Sequence, residues 1–179
     1  MISTFLVAHR WIAPTALVLV ILVGPLAGGW LTTRPRIAWG LTAASMLPLA
    51  LLTLVPQDRE IFARCEVRWE LPTLTGPESL ANILLFIVPV LLAGVATRRP
   101  ILAVLAGGGL SVVVEAVQAA VPAIGRSCDS DDWINNTIGA VIGGALAWLS
   151  LTAAARRARR ACSTSTFGDD GQGRKQQSQ

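Results

Sequence analysis

The chain is 179 residues long, 53% apolar and 15% charged, carries a formal net charge of +4 and has no tyrosine. Its mean hydropathy is +0.56, and its charges gather into short clusters between long uncharged runs. That pattern excludes a conventional soluble core and predicts an all-α polytopic membrane protein.

A helix that crosses a bilayer needs about 20 predominantly apolar residues. Five stretches qualify: Ile12 to Thr32, Ile37 to Val55, Leu80 to Thr97, Ile101 to Val121 and Trp133 to Leu151. Residues 1–56 therefore hold two spans, residues 57–79 a polar loop, residues 80–152 a three-helix core, and residues 153–179 a basic flank and a tail. The first apolar run exceeds the roughly 7 to 15 residues of a signal peptide and lacks an Ala-x-Ala-like cleavage site, so it reads as a span.

Arginine placement predicts the orientation, with the amino terminus out and the carboxy terminus in. In that arrangement Arg34, Arg36, Arg98, Arg99, Arg156, Arg157, Arg159 and Arg160 lie inside, and only Arg10, Arg59, Arg64, Arg68 and Arg126 lie outside. Trp11 and Trp133 then fall at outer span ends, and Trp30, Trp39 and Trp148 at or near inner ends, where indoles prefer the headgroup level.

The loop from Gln57 to Ser79 is net acidic. Ile61, Phe62, Cys65 and Trp69 recur in it at helical spacing, which is compatible with a surface helix or with an irregular loop. Cys65 and Cys128 both fall in predicted outer loops, in an oxidising compartment, and are candidates for a disulfide, whereas Cys162 falls inside. Such a bond would hold the acidic loop over the Arg126–Asp132 turn. After Leu151 the Arg-rich flank reads as a stop-transfer signal facing anionic lipid, with no nucleic-acid partner expected. From Ser163 on, Ser, Thr, Gly and Gln dominate, and a disordered tail is expected.

Polar side chains inside the spans carry the functional signal, because a charged group at a helix centre costs roughly 2.5 to 3.5 kcal/mol to insert. Glu115 and Gln118 share one face of the fourth span. Asp132, Asn136, Gly139 and Gly143 share a stripe of the fifth, and Asn82 lies near the outer start of the third. Together with Arg126, Asp129 and Asp131 they converge on the outer ends of spans three to five. The structural alternatives are specific: Asp132 as the N-cap of a helix starting at Trp133, Asp129 closing a turn, Asn136 with the glycines as packing glue, and a Glu115–Arg126 ion pair locking a hairpin.

Asn82 with Phe86 and a following proline, Glu115-x-x-Gln118, and Arg126-x-x-Asp129-x-x-Asp132-x-x-x-Asn136-x-x-Gly139 resemble the signature of the VanZ-like integral membrane family. The likeness covers about residues 78 to 150 and departs from the family pattern in Phe86-Ile87-Val88-Pro89-Val90-Leu91, where the proline is displaced by one and a glycine is lacking. The resemblance implies a multi-pass protein of the bacterial cytoplasmic membrane and cell envelope, whose founding relative is linked to low-level resistance to teicoplanin, a lipid-tailed glycopeptide; it supplies no reaction.

The leading expectation is a protein that binds a membrane lipid or a lipid-linked envelope precursor through Asn82, Glu115, Gln118, Arg126, Asp129, Asp132 and Asn136. Arg126 would grip a phosphate or carboxylate. The alternative is a membrane-embedded hydrolase or transferase acting on a lipid-linked substrate, with Glu115 or Asp132 as general base. No cofactor or metal is expected, since the Asp129–Asp132 spacing is not that of a calcium loop. A transporter is disfavoured by the apolar inner halves of spans three to five.

Overall fold

A computed structural model describes residues 9, 11–56, 65–66, 76–125 and 127–176, without the side chains of residues 66, 77, 78 and 162–176. Five helices long and apolar enough to cross a membrane follow one another: α1 (Ile12–Leu31), α2 (Pro35–Leu54), α3 (Pro77–Thr97), α4 (Pro100–Ala120) and α5 (Ser130–Gln176). Prolines at the first turn of α2, α3 and α4 start those helices two, three and one residues before the apolar runs begin. A proline there gives up an N–H that has no intrahelical partner anyway and presets a helical φ, a signal that hydropathy alone passes over.

The turns are tight. Between α3 and α4, Arg98 adopts a left-handed conformation (φ 57°), which lets the chain reverse within Arg98 and Arg99. The Arg98 guanidinium donates to the Thr32 carbonyl at 3.3 Å, so the α3–α4 turn sits beside the α1–α2 turn. There Arg34 stacks over Trp30, 4.0 Å from the ring centroid. One end of the bundle is accordingly basic.

Helix α3 is the hub. It packs against all four other helices, and half of its span is buried, against 17% of α1 and 22% of α2 and α4. Each apolar cluster contains it: Ile83, Ile87, Leu91 and Val95 with Leu31, Ala38 and Leu146; Phe86 with Leu49 and Val114; Val90 with Ala103 and Ala140. It runs unbroken through the buried Pro89.

Inside lipid, apolar surface gains little by leaving one hydrocarbon for another, so helix association depends on close packing and hydrogen bonds. The Gly139–Gly143 stripe does the first of these. A Cβ on Gly139 would run into the Ile83 carbonyl, and one on Gly143 would lie 2.6 Å from the Ile87 oxygen and 3.1 Å from the Leu91 nitrogen. Gly94 and Gly107 make similar approaches, to Ala147 and Val90. In the Gly107–Gly109 run only Gly107 is a packing residue, because nothing lies within 4 Å of a Cβ at Gly108 or Gly109.

The loop between α2 and α3 is tied down where it is described. Cys65–Glu66 forms a two-residue strand, β1, which pairs in parallel with β2 (Cys128–Asp129), and a disulfide joins Cys65 to Cys128 with Cα atoms 4.5 Å apart. The surface-helix expectation for this loop fails at Cys65, which is extended; its other residues lie outside those described. The closed loop spans 63 positions, which chain entropy values at about 4 kcal/mol. The α5 backbone continues to Gln176, where composition led us to expect no regular structure.

Gly143→Ala should destabilise the purified protein by about 1 to 3 kcal/mol, the usual cost of overpacking. Gly108→Ala, with open space around it, should leave stability unchanged or slightly raised. Unfolding in mixed micelles measures both, and equal behaviour of the two variants would refute the close-approach role.

Candidate functional site

Alternation of the helices brings the end of α2, the start of α3, the end of α4 and the start of α5 to one end of the bundle, opposite the arginine turns. Among the described residues, the polar side chains singled out from the sequence gather there, and Asn82, Asp132, Asn136 and Gln118 each bond to another helix.

Helix α5 starts at Ser130, three residues earlier than expected, and its cap is Asp129 rather than Asp132. The Asp129 carboxylate accepts the Asp131 N–H at 2.9 Å, the bond an N-cap makes to the second residue of its helix. This frees Asp132, inside the first turn, to reach α3: its Oδ1 accepts from Asn82 Nδ2 at 2.5 Å. The Asp129 N–H in turn donates to Glu115 Oε2 at 2.9 Å. Glu115 thus receives a backbone donor about 7 Å below the end of α4, at 1.5 Å per residue.

Deeper in the bundle, Asn136 Nδ2 donates to Ser111 Oγ at 3.0 Å, joining α5 to α4. Gln118 donates instead to the Thr53 carbonyl of α2 at 3.0 Å. Thr53 is in the last turn of α2, where carbonyls have no intrahelical donor, so Gln118 caps that helix from outside. Both Asn136 and Ser111 are buried, at 4% and 0% exposed, beyond the reach of bulk water to satisfy them. Ser111 and Glu115 stand at i and i+4 on α4, facing Asp132 and Asn136 at i and i+4 on α5.

Of the seven residues expected in the site, six lie in this network, and Arg126 lies outside the described residues, so its pairing with Glu115 does too. Gln118 faces α2 instead of sharing the α4–α5 seam. Sequence reasoning missed Ser111 and Asn135. The first was legible as the residue one turn below Glu115; the second, 3% exposed, was hidden by its neighbour Asn136. Chemically the cluster combines carboxylates and amides. Among the described residues no group of three His, Cys, Asp or Glu side chains is placed to hold a metal ion.

Among known proteins, the family model described as VanZ/LLP1 matches the chain over residues 11–151. No curated protein and no solved structure matches the chain.

Asn82 and Asp132 should couple energetically. Interhelical hydrogen bonds in membranes average about 0.6 kcal/mol and reach about 1.7, and this one is charge-assisted. A double-mutant cycle with Asn82→Ala and Asp132→Ala should return about 1 to 2 kcal/mol. A coupling near zero would show that the pair does not fasten α3 to α5.

Proposed function

The chain belongs to the VanZ/LLP1 family, and from that premise we propose that this multi-pass membrane protein is a cell-envelope component that binds a lipid or lipid-linked ligand at its polar end. The observation that carries the reading is the concentration of intramembrane carboxylates and amides at one end of the bundle, from Asn82 and Asp132 down to Ser111 and Asn136. Polar groups inside a membrane are costly and mark sites by default. A headgroup at the bilayer surface meets this end of the bundle at its own depth.

This end faces outward. A disulfide forms and persists in an oxidising compartment, and the Cys65–Cys128 bond lies at the polar end, while the arginine turns lie at the opposite end, as the cytoplasmic side requires. Arg126 follows Gly125 directly in the sequence and would supply the cation for a phosphate or carboxylate. Occupancy of the site by an envelope lipid is the route by which the protein would alter glycopeptide susceptibility. Glu115 and Asp132 both already accept hydrogen bonds, which favours holding a ligand over abstracting a proton.

Two measurements test this. In a Cys162→Ser background, a membrane-impermeant thiol probe on intact cells should label a cysteine placed at Thr75 and spare one at Gln172; the reverse pattern would overturn the orientation. Native mass spectrometry of the purified protein should find lipid retained by the wild type and reduced several-fold in Asn136→Leu and Arg126→Ala. Equal retention in all three would overturn the lipid-binding reading.

A further inference from the structure

Donors and acceptors do not balance at the polar end. Three side-chain amides donate across helices, Asn82 to Asp132, Asn136 to Ser111 and Gln118 to Thr53. Three acceptor oxygens, Asp131 Oδ1, Asn135 Oδ1 and Asn136 Oδ1, are buried and meet no donor among the described residues. Buried polar atoms in native proteins nearly always have partners, so three such oxygens between residues 131 and 136 of one helix need an account.

Asp131 and Asn135 stand one helical turn apart, which puts them on a common stripe of α5. That stripe continues as Ile138 and Ile142, which pack against the apolar cluster built with α1 and α3. It is distinct from the Asp132–Asn136 stripe, whose residues bond to α3 and α4. Asn135 is 3% exposed, and Asp131 stands one turn above it on the same stripe.

The chemistry of the missing partner follows. An anion would meet the Asp131 carboxylate and the Asn135 amide oxygen, and a neutral acceptor would satisfy neither. A hard divalent cation takes six or more oxygens, and no metal-holding group of acidic side chains is present among the described residues. A primary ammonium brings positive charge and three N–H donors in one small group. The positive end of the α5 dipole opposes a cation there, but that dipole is equivalent to about half a charge, and Asp129, Asp131 and Asp132 stand against it.

We infer that the first two turns of α5 bind the primary ammonium of a membrane lipid headgroup, with Asp131 as countercharge and Asn135 as the buried neutral acceptor. This deepens the lipid-binding reading above and rests on it. Asp131 sets the preference for charge, and Asn135 sets the preference for N–H donors over methylated nitrogen.

The test compares phosphatidylethanolamine with phosphatidylcholine of identical acyl chains, titrated into the full-length protein in detergent and read by native mass spectrometry. The two headgroups share phosphate and net charge, and only the first has N–H donors. The wild type should prefer phosphatidylethanolamine by roughly tenfold, the worth of one charge-assisted hydrogen bond. That preference should fall to about twofold or less in Asp131→Asn and in Asn135→Leu, both checked for an intact Cys65–Cys128 bond and a cooperative thermal transition. Equal binding of the two lipids by the wild type, or a preference that survives in both folded variants, overturns the inference while leaving lipid binding intact. Binding of neither lipid overturns the underlying reading as well. Stabilisation by free ethanolamine equal to that by the lipid overturns the assignment to a headgroup.

Discussion

The contact of α5 with the backbone of α3 is the constraint on which the other features depend. Gly139 meets the Ile83 carbonyl and Gly143 meets Ile87 and Leu91, so the two helices run parallel with their backbones in close approach at these glycines. Hydrocarbon does not drive helices together inside a bilayer, and this close approach supplies dispersion contacts that a larger residue would forfeit. It also brings Asn82 within reach of Asp132. Two helices separated by α4 in the sequence thereby share one polar layer, and α4 closes against both.

That polar layer has a double character. Most of its members satisfy one another across helix boundaries: α3 with α5, α5 with α4, α4 with α2. A polar group in lipid is expensive unless it is bonded, so these pairs lock the arrangement as much as they decorate it. What the lock does not consume among the described residues includes acceptor oxygens of Asp131, Asn135 and Asn136 on α5. In the binding we propose, recognition would use the Asp131–Asn135 stripe of α5 beside the Asp132–Asn136 stripe that fastens the helices.

Much of this was legible in the residues. The five spans followed from hydropathy, the disulfide from the placement of Cys65 and Cys128 in loops of the same side, and the polar layer from Asn82, Glu115, Asp132 and Asn136 at helical spacing. Helix starts were misjudged where proline opens the first turn or where the first turn is itself acidic, because an apolar run cannot register either. For the same reason the cap was assigned to Asp132 in place of Asp129. The partners of Gln118 and Asn136 were not legible at all: which of several neighbouring helices an amide faces depends on rotation about the helix axis, and a period of 3.6 fixes faces relative to each other without fixing what lies opposite.

The Cys65–Cys128 bond also orders events in time. The two cysteines are separated in the chain by the whole α3–α4 hairpin, and they meet on the same end of the bundle only when that hairpin has been laid into the membrane and has returned. Before then Cys65 has no mate within reach. Oxidation of this pair therefore records completed insertion of the two central helices, and a chain whose hairpin stalls would keep both thiols free.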